Sequence, residues 1–151
     1  MMSVTAELKQ LRLEAGLSQT ELARRTGITQ PRISAYESGR VAPSEKSLRR
    51  IGHACRLRPS VIVYRKRDDV IELANRRGLS NVRVFGSSVH GTDTVDSDVD
   101  LLVTSGPETS IFDLAGFHLE VEELLGASVD VVDDRSKADI LERIRREAVP
   151  L

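Results

Sequence analysis

The chain has 151 residues, enough for one ordinary domain or two small ones, and 40% of them are hydrophobic but only 3% aromatic. No apolar run approaches the roughly 18 residues of a membrane-spanning helix, and the N-terminus lacks a signal-peptide pattern. The single cysteine, Cys55, excludes an internal disulfide and a cysteine-rich zinc site. These features predict a cytoplasmic protein without a membrane partner.

The net charge of -1 conceals an asymmetry along the chain. Residues 1–58 contain 11 Lys and Arg against 5 Asp and Glu, whereas residues 59–151 contain 11 against 18. A basic segment suits a polyanion partner, and an acidic segment suits a cation site. We therefore expect the two parts to have different functions.

The basic part is predicted to form four helices. Leu8, Leu11, Leu13 and Ala15 mark a first amphipathic helix that Gly16 ends. Serine or threonine N-caps then begin the next three helices. These caps are Ser18 with Glu21 as a capping box, Thr29 before Pro31, and Ser44; Gly27 and Gly39 end the second and third helices.

This part of the sequence resembles the Xre/Cro-repressor helix-turn-helix family over about residues 4–58. The match has several parts, which makes it more specific than a single short motif. The matching strings are Leu17-Ser18-Gln19-Thr20-Glu21-Leu22-Ala23, Gly27-Ile28-Thr29-Gln30-Pro31-Arg32-Ile33-Ser34, and Tyr36-Glu37-Ser38-Gly39-Arg40 with Pro43.

The resemblance implies that the third helix enters the major groove of operator DNA, with dimers on paired half-sites. Gln30, Arg32 and Ala35 would face base edges, and Gln19 would fix the second helix against a phosphate. Independently of the family, Gln and Arg can read bases through bidentate hydrogen bonds. The implied DNA-binding residues are Gln19, Thr29, Gln30, Arg32, Ser34, Ala35 and Arg40.

Backbone phosphates need cationic or amide donors, which Arg12, Arg40 and a helix N-terminus supply in this part. The alternative interpretation is a helical bundle used for dimerisation. In that case Gln30 and Arg32 would be ordinary solvated residues. Residues 59–78 follow as a predicted connecting helix, from Pro59 to Gly78, although Val61 to Val63 could also form a short extended piece.

The acidic part alternates strands with helices. The strand 81–85 precedes the turn Gly86-Ser87-Ser88, in which glycine permits close approach of an anion and the following amides bind phosphate. The other predicted elements are a strand over 98–104, a helix from Ser110 to Gly126, a strand over 128–132 and a last helix over 136–147.

Three aspartates of this part suggest metal chemistry. Asp98 and Asp100 point the same way from a strand because its side chains alternate. Neighbouring carboxylates repel each other unless a cation lies between them. Asp130 adds a third carboxylate from another short β-branched run. A phosphate-holding turn with three carboxylates on neighbouring strands suits two-metal nucleotidyl transfer.

The same residues resemble the minimal nucleotidyltransferase (MNT) family of the polymerase-beta-like superfamily, over residues 66–151. The family pattern is Gly-Ser, ten residues, then Asp-x-Asp, and Gly86-Ser87 with Asp98-Val99-Asp100 fits it without a gap. The resemblance implies Mg²⁺-dependent transfer of a nucleoside monophosphate, with ATP as substrate and two metal ions.

The family roles carry over residue by residue. Ser87 would bind the β- and γ-phosphates, with Gly86 and Ser88 completing the nucleotide site. Asp98 and Asp100 would hold the metals. Asp130 would complete the second metal and help to deprotonate the acceptor hydroxyl.

The sequence departs from the family at two points. Many relatives have Ala-Arg-Gly where this chain has Val89-His90-Gly91. The segment is also too short for the domain with which larger nucleotidyltransferases hold their acceptor. We therefore expect a partner to present the acceptor.

Other interpretations of the acidic cluster are weaker. A calcium loop counted from Asp96 would need Gly at its sixth position and Glu at its twelfth, but the chain has Leu101 and Pro107 there. A purely structural acidic turn remains open.

Together the two resemblances are those of the antitoxin in HEPN–MNT toxin–antitoxin pairs. They imply a protein that transfers AMP to a tyrosine of a HEPN-type ribonuclease toxin, assembles as a homo-oligomer or with the toxin, and represses its own operon. The alternatives are a DNA-binding regulator with a silent, nucleotide-sensing MNT domain, and an enzyme that modifies a small molecule.

The predicted fold class is α+β. Residues 1–58 form an all-α helix-turn-helix bundle of four to five helices, residues 59–78 form the connecting helix, and residues 79–151 form a small mixed α/β nucleotidyltransferase domain with a short mixed sheet.

Overall fold

The computed structural model describes residues 4–137 and 139–151; residues 1–3 of the predicted first domain and position 138 of the predicted last helix lie outside it. The chain divides into two compact units, Met1–Leu57 and Arg58–Leu151. Helices make up the regular structure described in the first unit, and the second combines helices with one four-stranded sheet. The predicted α+β class is confirmed. Among the described residues, no helix combines the length and apolar character needed to cross a membrane.

The four predicted helices of the first unit are present. The hydroxyl of Ser18 accepts a hydrogen bond from the Glu21 amide at 3.0 Å, and Ser44 accepts one from the Ser47 amide at 3.2 Å. Each bond satisfies an amide that the first turn leaves without a helical partner. The helices are α1 Val4–Glu14, α2 Gln19–Thr26, α3 Gln30–Glu37 and α4 Glu45–Cys55.

Two local predictions for this unit were confirmed only in part. Thr29 occupies the N-cap position of α3 but its side chain makes no capping hydrogen bond; Pro31, in the first turn, has no amide to donate. Leu11 and Leu13 are exposed, whereas Leu8 is buried. The core of this unit collects side chains from all four helices and from the turns that precede α2 and α3: Leu8, Leu17, Leu22, Ile28, Ile33, Tyr36, Ile51 and Cys55.

The second unit begins with two helices instead of the predicted single connecting helix. They are separated at Lys66, whose backbone leaves the helical region with φ -105° and ψ 19°. The elements are α5 Pro59–Arg65, α6 Arg67–Arg76, β1 Leu79–Phe85, α7 Ser87–His90, β2 Val99–Ser105, α8 Ile111–Leu125, β3 Val129–Asp133, α9 Leu141–Glu147 and β4 Val149–Pro150.

The sheet is mixed, with strand order β3-β2-β1-β4. β1 pairs antiparallel with β2 and with β4, whereas β2 and β3 run parallel. The parallel pair is joined through α8, as parallel strands require a long crossover. The helix begins with a complete capping box between Ser110 and Asp113 and ends at Gly126, as predicted.

The alternation of β2 divides its side chains between two cores. Val99, Leu101 and Val103 are fully buried in the larger core, against α5, α6 and α8. Leu102 points to the opposite face and packs with Phe85 and with the apolar side of α9. Asp100 shares the face of Leu102, because the two residues are two positions apart. The acidic side chains therefore lie on the face that α9 covers.

The C-terminal segment differs from the prediction of one helix over 136–147. Regular helix begins only at Leu141. Before it, the Asp133 carboxylate accepts hydrogen bonds from the amides of Ser105 and Arg135 and holds a turn at the end of β3. Asp134 pairs with Arg83 of β1 at 2.6 Å and also with Arg145 of α9. These bonds fasten α9 to the sheet.

Candidate active site and nucleic-acid interface

Sheet register brings the separate parts of the acidic motif together. Phe85 at the end of β1 is opposite Asp100 of β2, and Asp100 is opposite Asp130 of β3. Neighbouring strands are about 4.8 Å apart. The Gly-Ser turn, which follows Phe85 directly, and two of the three predicted carboxylates therefore form one line across the sheet. Asp98 lies immediately before β2 and is exposed.

Gly86 is in close contact with this line of residues. Its backbone has φ 73° and ψ -148°, a region that is essentially restricted to glycine. A Cβ atom there would overlap the Oδ2 atom of Asp100 and lie 3.1 Å from its Cγ. Glycine is thus required twice, for the backbone conformation and for the space that the carboxylate occupies.

The surroundings of Asp100 disfavour its charged form. Burial is the largest cause that raises the pKa of its carboxyl group, followed by the negative charges of Asp130, Asp98 and Glu147. A carboxylate in such a position gains most from a bound cation, because the cation removes the repulsion.

The donor set fits magnesium better than a metal that needs a closed protein cage. Among the residues with described placement, no three Asp, Glu, His or Cys side chains are already gathered as a metal cluster. Magnesium needs only one or two carboxylates, since it keeps waters and binds substrate phosphates. Asp98, Asp100 and Asp130 could therefore hold metal ions that arrive with a nucleoside triphosphate.

The two serines of the turn have different environments. Ser87 is half-buried and begins α7. Ser88 is 6% exposed, and its Oγ atom is buried without a hydrogen-bond partner. In this geometry Ser87 can offer its hydroxyl to a phosphate, whereas Ser88 can contribute only its backbone amide.

One acidic residue near this site was missed by the sequence analysis. Glu147, at the end of α9, is close enough to Asp100 to raise its pKa. Its Oε2 atom lies 3.0 Å from Nε2 of His90, the last residue of α7. No local motif singles out Glu147, because its position depends on how α9 folds back over the sheet. His90, which stands where many relatives have arginine, is thus linked to α9.

The first unit presents the predicted helix-turn-helix. α2 and α3 are joined through Gly27, which adopts the left-handed conformation at φ 67°. Thr29, Gln30, Arg32 and Arg40 are exposed, as a DNA-contacting role requires, whereas the other three predicted residues are half-buried. An open groove of about 470 Å³ is lined by Gln30, Pro31, Ser34, Ala35, Arg40 and Val41.

A buried polar network joins α1 to the turn before α2 and to the end of α3. Arg12 is 7% exposed, and its guanidinium donates to the Glu37 carboxylate at 2.6 and 3.0 Å and to the Leu17 carbonyl. Gln19 donates to Glu37 and accepts from Gln30, both at 2.9 Å. The prediction that Arg12 holds a DNA phosphate is therefore wrong, since its guanidinium is buried and occupied.

Arg32 is held in a defined orientation on α3. Its Nε atom donates to the Tyr36 hydroxyl at 2.8 Å, and its Cζ atom lies 5.9 Å from the Tyr36 ring centroid. The Nε bond leaves the two terminal nitrogens at the outer end of the guanidinium. These two nitrogens can donate a pair of parallel hydrogen bonds to the edge of a base.

Comparison with known families agrees with both halves of this description. A helix-turn-helix family model matches residues 8–62, and a nucleotidyltransferase domain model matches residues 65–149. The second match covers more than half of the chain and contains every residue of the acidic site.

Similar proteins agree with the second match. The protein adenylyltransferase MntA of Thermococcus cleftensis is 39% identical over 79 residues, which are 52% of this chain and 80% of the relative. MJ0435 of Methanocaldococcus jannaschii, assigned as a protein adenylyltransferase, is 36% identical over 81 residues, 53% of this chain and 87% of the relative.

A solved structure assigned as a minimal nucleotidyltransferase agrees as well. It is 40% identical, with a TM-score of 0.56, over 61% of this chain and 95% of that one. A toxin–antitoxin pair with AMP-PNP matches at 23% identity and a TM-score of 0.49, a likeness too remote to support an argument. The chain thus belongs to the nucleotidyltransferase domain family and joins that catalytic domain to a helix-turn-helix.

Proposed function

We propose that this protein transfers AMP from ATP to a tyrosine hydroxyl of a HEPN-type ribonuclease toxin. The observation that carries the proposal is the register that aligns Asp100 with Asp130 beside Gly86. The relatives named protein adenylyltransferase support a protein acceptor and an adenylyl group.

The proposed reaction is an in-line displacement at the α-phosphorus of ATP. The acceptor oxygen forms a bond to phosphorus while the bond to the β-phosphate oxygen breaks, and pyrophosphate leaves. Asp130, which is exposed, accepts the hydroxyl proton. Asp98 and Asp100 would hold Mg²⁺, which when bound stabilises the entering and leaving oxygens.

The turn and its glycine bind the other end of the nucleotide. Ser87 and the amides that follow it contact the β- and γ-phosphates, because the tight backbone of Gly86 lets an anion approach closely. Positioning and charge neutralisation supply most of the rate enhancement in phosphoryl transfer, and we extend this to nucleotidyl transfer.

The helix-turn-helix supports a second role as repressor of the protein's own operon. The exposed Gln30, Arg32 and Arg40 lie on or beside α3 and offer donors for bases and phosphates. Modification would neutralise the toxin while DNA binding limits its synthesis. These two roles reside in different units of the chain.

The experiment is an intact-mass measurement of the protein encoded by the adjacent gene, after incubation with this protein, Mg²⁺ and ATP. We expect one or more AMP-sized additions. Asp98→Ala combined with Asp100→Ala should lower the rate of transfer by more than about 100-fold. Even the loss of residues that only hydrogen-bond to metal ligands typically lowers activity by about 10–100-fold. The double variant should still bind operator DNA.

A matched control is Asp68→Ala combined with Asp69→Ala, which removes two neighbouring exposed carboxylates of α6 and should leave transfer unchanged. If the Asp98/Asp100 variant modifies the partner at the wild-type rate, the site assignment is wrong. A partner that is bound and silenced without any mass change would instead indicate a steric antitoxin or a nucleotide sensor.

A further inference from the structure

The outer side of α8 is apolar and uncovered. Ile111, Phe112 and Leu119 are 78%, 81% and 65% exposed, and Ala115 between them is exposed as well. We call these four residues the α8 stripe. Phe112, Ala115 and Leu119 are spaced three and then four residues apart, so they share one side of the helix.

The opposite side of α8 is also apolar, because Phe117, Val121 and Leu125 are buried in the larger core. A helix that is hydrophobic on both sides is expected to be covered on both. Large apolar side chains grouped on a surface mark an interaction site, whereas single scattered ones need no explanation. The α8 stripe therefore has the character of a contact surface.

The charge of α8 indicates what covers the stripe. The helix contains four acidic residues, Asp113, Glu120, Glu122 and Glu123, and no Lys or Arg of its own. Two cations from outside the helix contact it: Arg77 pairs with Glu120 at 2.6 Å, and Lys66 donates to the Leu124 carbonyl at 2.6 Å. Glu123 lies one turn beyond Leu119, and the exposed Glu108 precedes the helix. The stripe thus ends in negative charge, which suits a partner that is apolar in its centre and basic at its margins.

A second copy of this chain fits the stripe poorly. A two-fold antiparallel pairing that crosses near Ala115 would bring Phe112 against Leu119 of the other copy, which is favourable. The same geometry would bring Glu108 near Glu123 of the other copy. Like charges facing each other oppose association, which argues against a second copy as the partner.

The stripe is separated from the carboxylates. α8 packs on the face of the sheet that carries Val99, Leu101 and Val103, whereas Asp100 lies on the opposite face. The outer side of a helix is about 10 Å from its packed side. A partner on the stripe therefore leaves the catalytic face open to the residue that is modified.

We propose that the α8 stripe anchors an amphipathic, basic helix of the protein acceptor, away from the catalytic face. This inference rests on the proposed function only in taking the acceptor to be a protein. The stripe provides the apolar centre of the interface and the flanking glutamates its polar margin, as in most protein interfaces. Anchoring by a separate surface holds the acceptor between successive transfers.

The test compares the full-length Phe112→Ser/Leu119→Ser variant with the wild type, using the adjacent-gene product as the probe. We expect binding measured by calorimetry to weaken by about 30-fold or more, as for central interface residues. The KM for the acceptor should rise while kcat at saturation stays within about twofold. Ile140→Ser, at an exposed apolar residue outside α8, is the control and should change neither value.

A second variant tests the charge argument. Glu108→Gln combined with Glu123→Gln should weaken binding several-fold and reduce its dependence on salt. Unchanged affinity of the serine variant would overturn the proposal. It would also be overturned if the chain alone sediments as a dimer that Phe112→Ser/Leu119→Ser separates. If the serine variant loses binding while even the wild type transfers no AMP to the adjacent-gene product, the anchor is upheld and the proposed function is refuted.

Discussion

The carboxylate of Asp100 fills the space that a side chain at Gly86 would need. Gly86 lies in a turn between β1 and α7, and Asp100 lies on the neighbouring strand. The closeness of the two residues joins the turn that we propose binds phosphate to the carboxylate that we propose binds metal. A change at either position is therefore expected to alter both parts of the site.

Gly86→Ala should abolish transfer and lower stability. The substitution forces an L-residue into a glycine conformation and displaces the Asp100 carboxylate, at a cost of about 1–3 kcal/mol in the free energy of unfolding. Gly91→Ala is the control, because position 91 has a similar φ of 68° but open space around it. It should lose about 1 kcal/mol and keep most activity. Equal activity loss in both variants would contradict the role given to the close contact.

Asp100→Asn should stabilise the metal-free protein at neutral pH. Burial and nearby carboxylates raise the pKa of Asp100 in the folded state. The stabilisation that the protonated carboxyl group gives the fold is therefore fully present below the pKa of the unfolded state, and it is lost as pH rises through the pKa of the folded state. Removing the charge should recover an amount on the order of 0.5 kcal/mol after solvent screening.

Unfolding in urea at pH 7 and at pH 3, without and with Mg²⁺, measures this effect. The advantage of the Asn variant should be larger at pH 7 than at pH 3, where the carboxyl group of Asp100 is protonated in both states. Magnesium with ATP should stabilise the wild type and have less effect on the variant. A variant less stable than the wild type at pH 7 without metal would show that Asp100 contributes a structural bond.

Glu37 should make the helix-turn-helix unit sensitive to acid. Burial would raise the pKa of Glu37, but the hydrogen bonds from Arg12 and Gln19 outweigh it and lower the value. The resulting stabilisation is present above the unfolded pKa and is lost as pH falls through the folded one. Glu37→Gln should cost about 3 kcal/mol at pH 7, because it leaves the Arg12 charge buried and unpaired.

The comparison is with Glu45→Gln, whose exposed carboxylate is 3.8 Å from Arg49 and should contribute less than about 0.5 kcal/mol. Circular dichroism across pH 3 to 7 follows both variants. The Glu37→Gln variant should lose less stability between pH 5 and 3 than the wild type. If the free energy of unfolding falls equally in the Glu37→Gln variant and the wild type between pH 5 and 3, Glu37 is not the source of the acid sensitivity.

Arg32→Ala should weaken operator binding by roughly 1–3 kcal/mol, as expected for a bidentate base contact. Tyr36 fixes the guanidinium of Arg32, so the fork is already oriented in the free protein. Anisotropy titrations at one salt concentration on operator and random DNA measure the difference. Arg49→Ala, on α4, serves as control. An equal loss on random DNA would make Arg32 a phosphate contact.

The link between His90 and Glu147 should position the nucleotide turn. It joins the end of α7, which carries Ser87, to α9. His90→Ala should raise the KM for ATP several-fold and change kcat little, since it removes orientation and leaves the carboxylates in place. His118→Ala, which removes a similar link to Glu122 at 3.4 Å on α8, should have no effect. A fall in kcat with unchanged KM would assign His90 to the chemical step.

Local sequence signals predicted most elements of this protein. The caps at Ser18, Ser44 and Ser110 and the helix end at Gly126 depend on hydrogen bonds within a few residues, and such bonds can be inferred from short patterns. These inferences needed no knowledge of distant contacts.

Side chains whose partners are distant in sequence were predicted less well. Arg12 was expected at a phosphate because its charge suits one, yet Glu37, 25 residues away, holds it inside the unit. Leu119 is an apolar residue of the predicted helix from Ser110 to Gly126, yet it is exposed. A helical pattern shows that a side is apolar and cannot tell whether this chain or another protein covers it.

The sequence alone determined which residues are the candidates for the chemistry, since Gly86-Ser87 and Asp98-Val99-Asp100 can be recognised by their spacing. Only the tertiary structure decided how they meet. Asp130 comes beside Asp100 through parallel pairing, and Glu147 approaches Asp100 because α9 folds back over that face. The register of the strands and the packing of α9 over the sheet depend on contacts between residues far apart in the chain. No local pattern encodes those contacts.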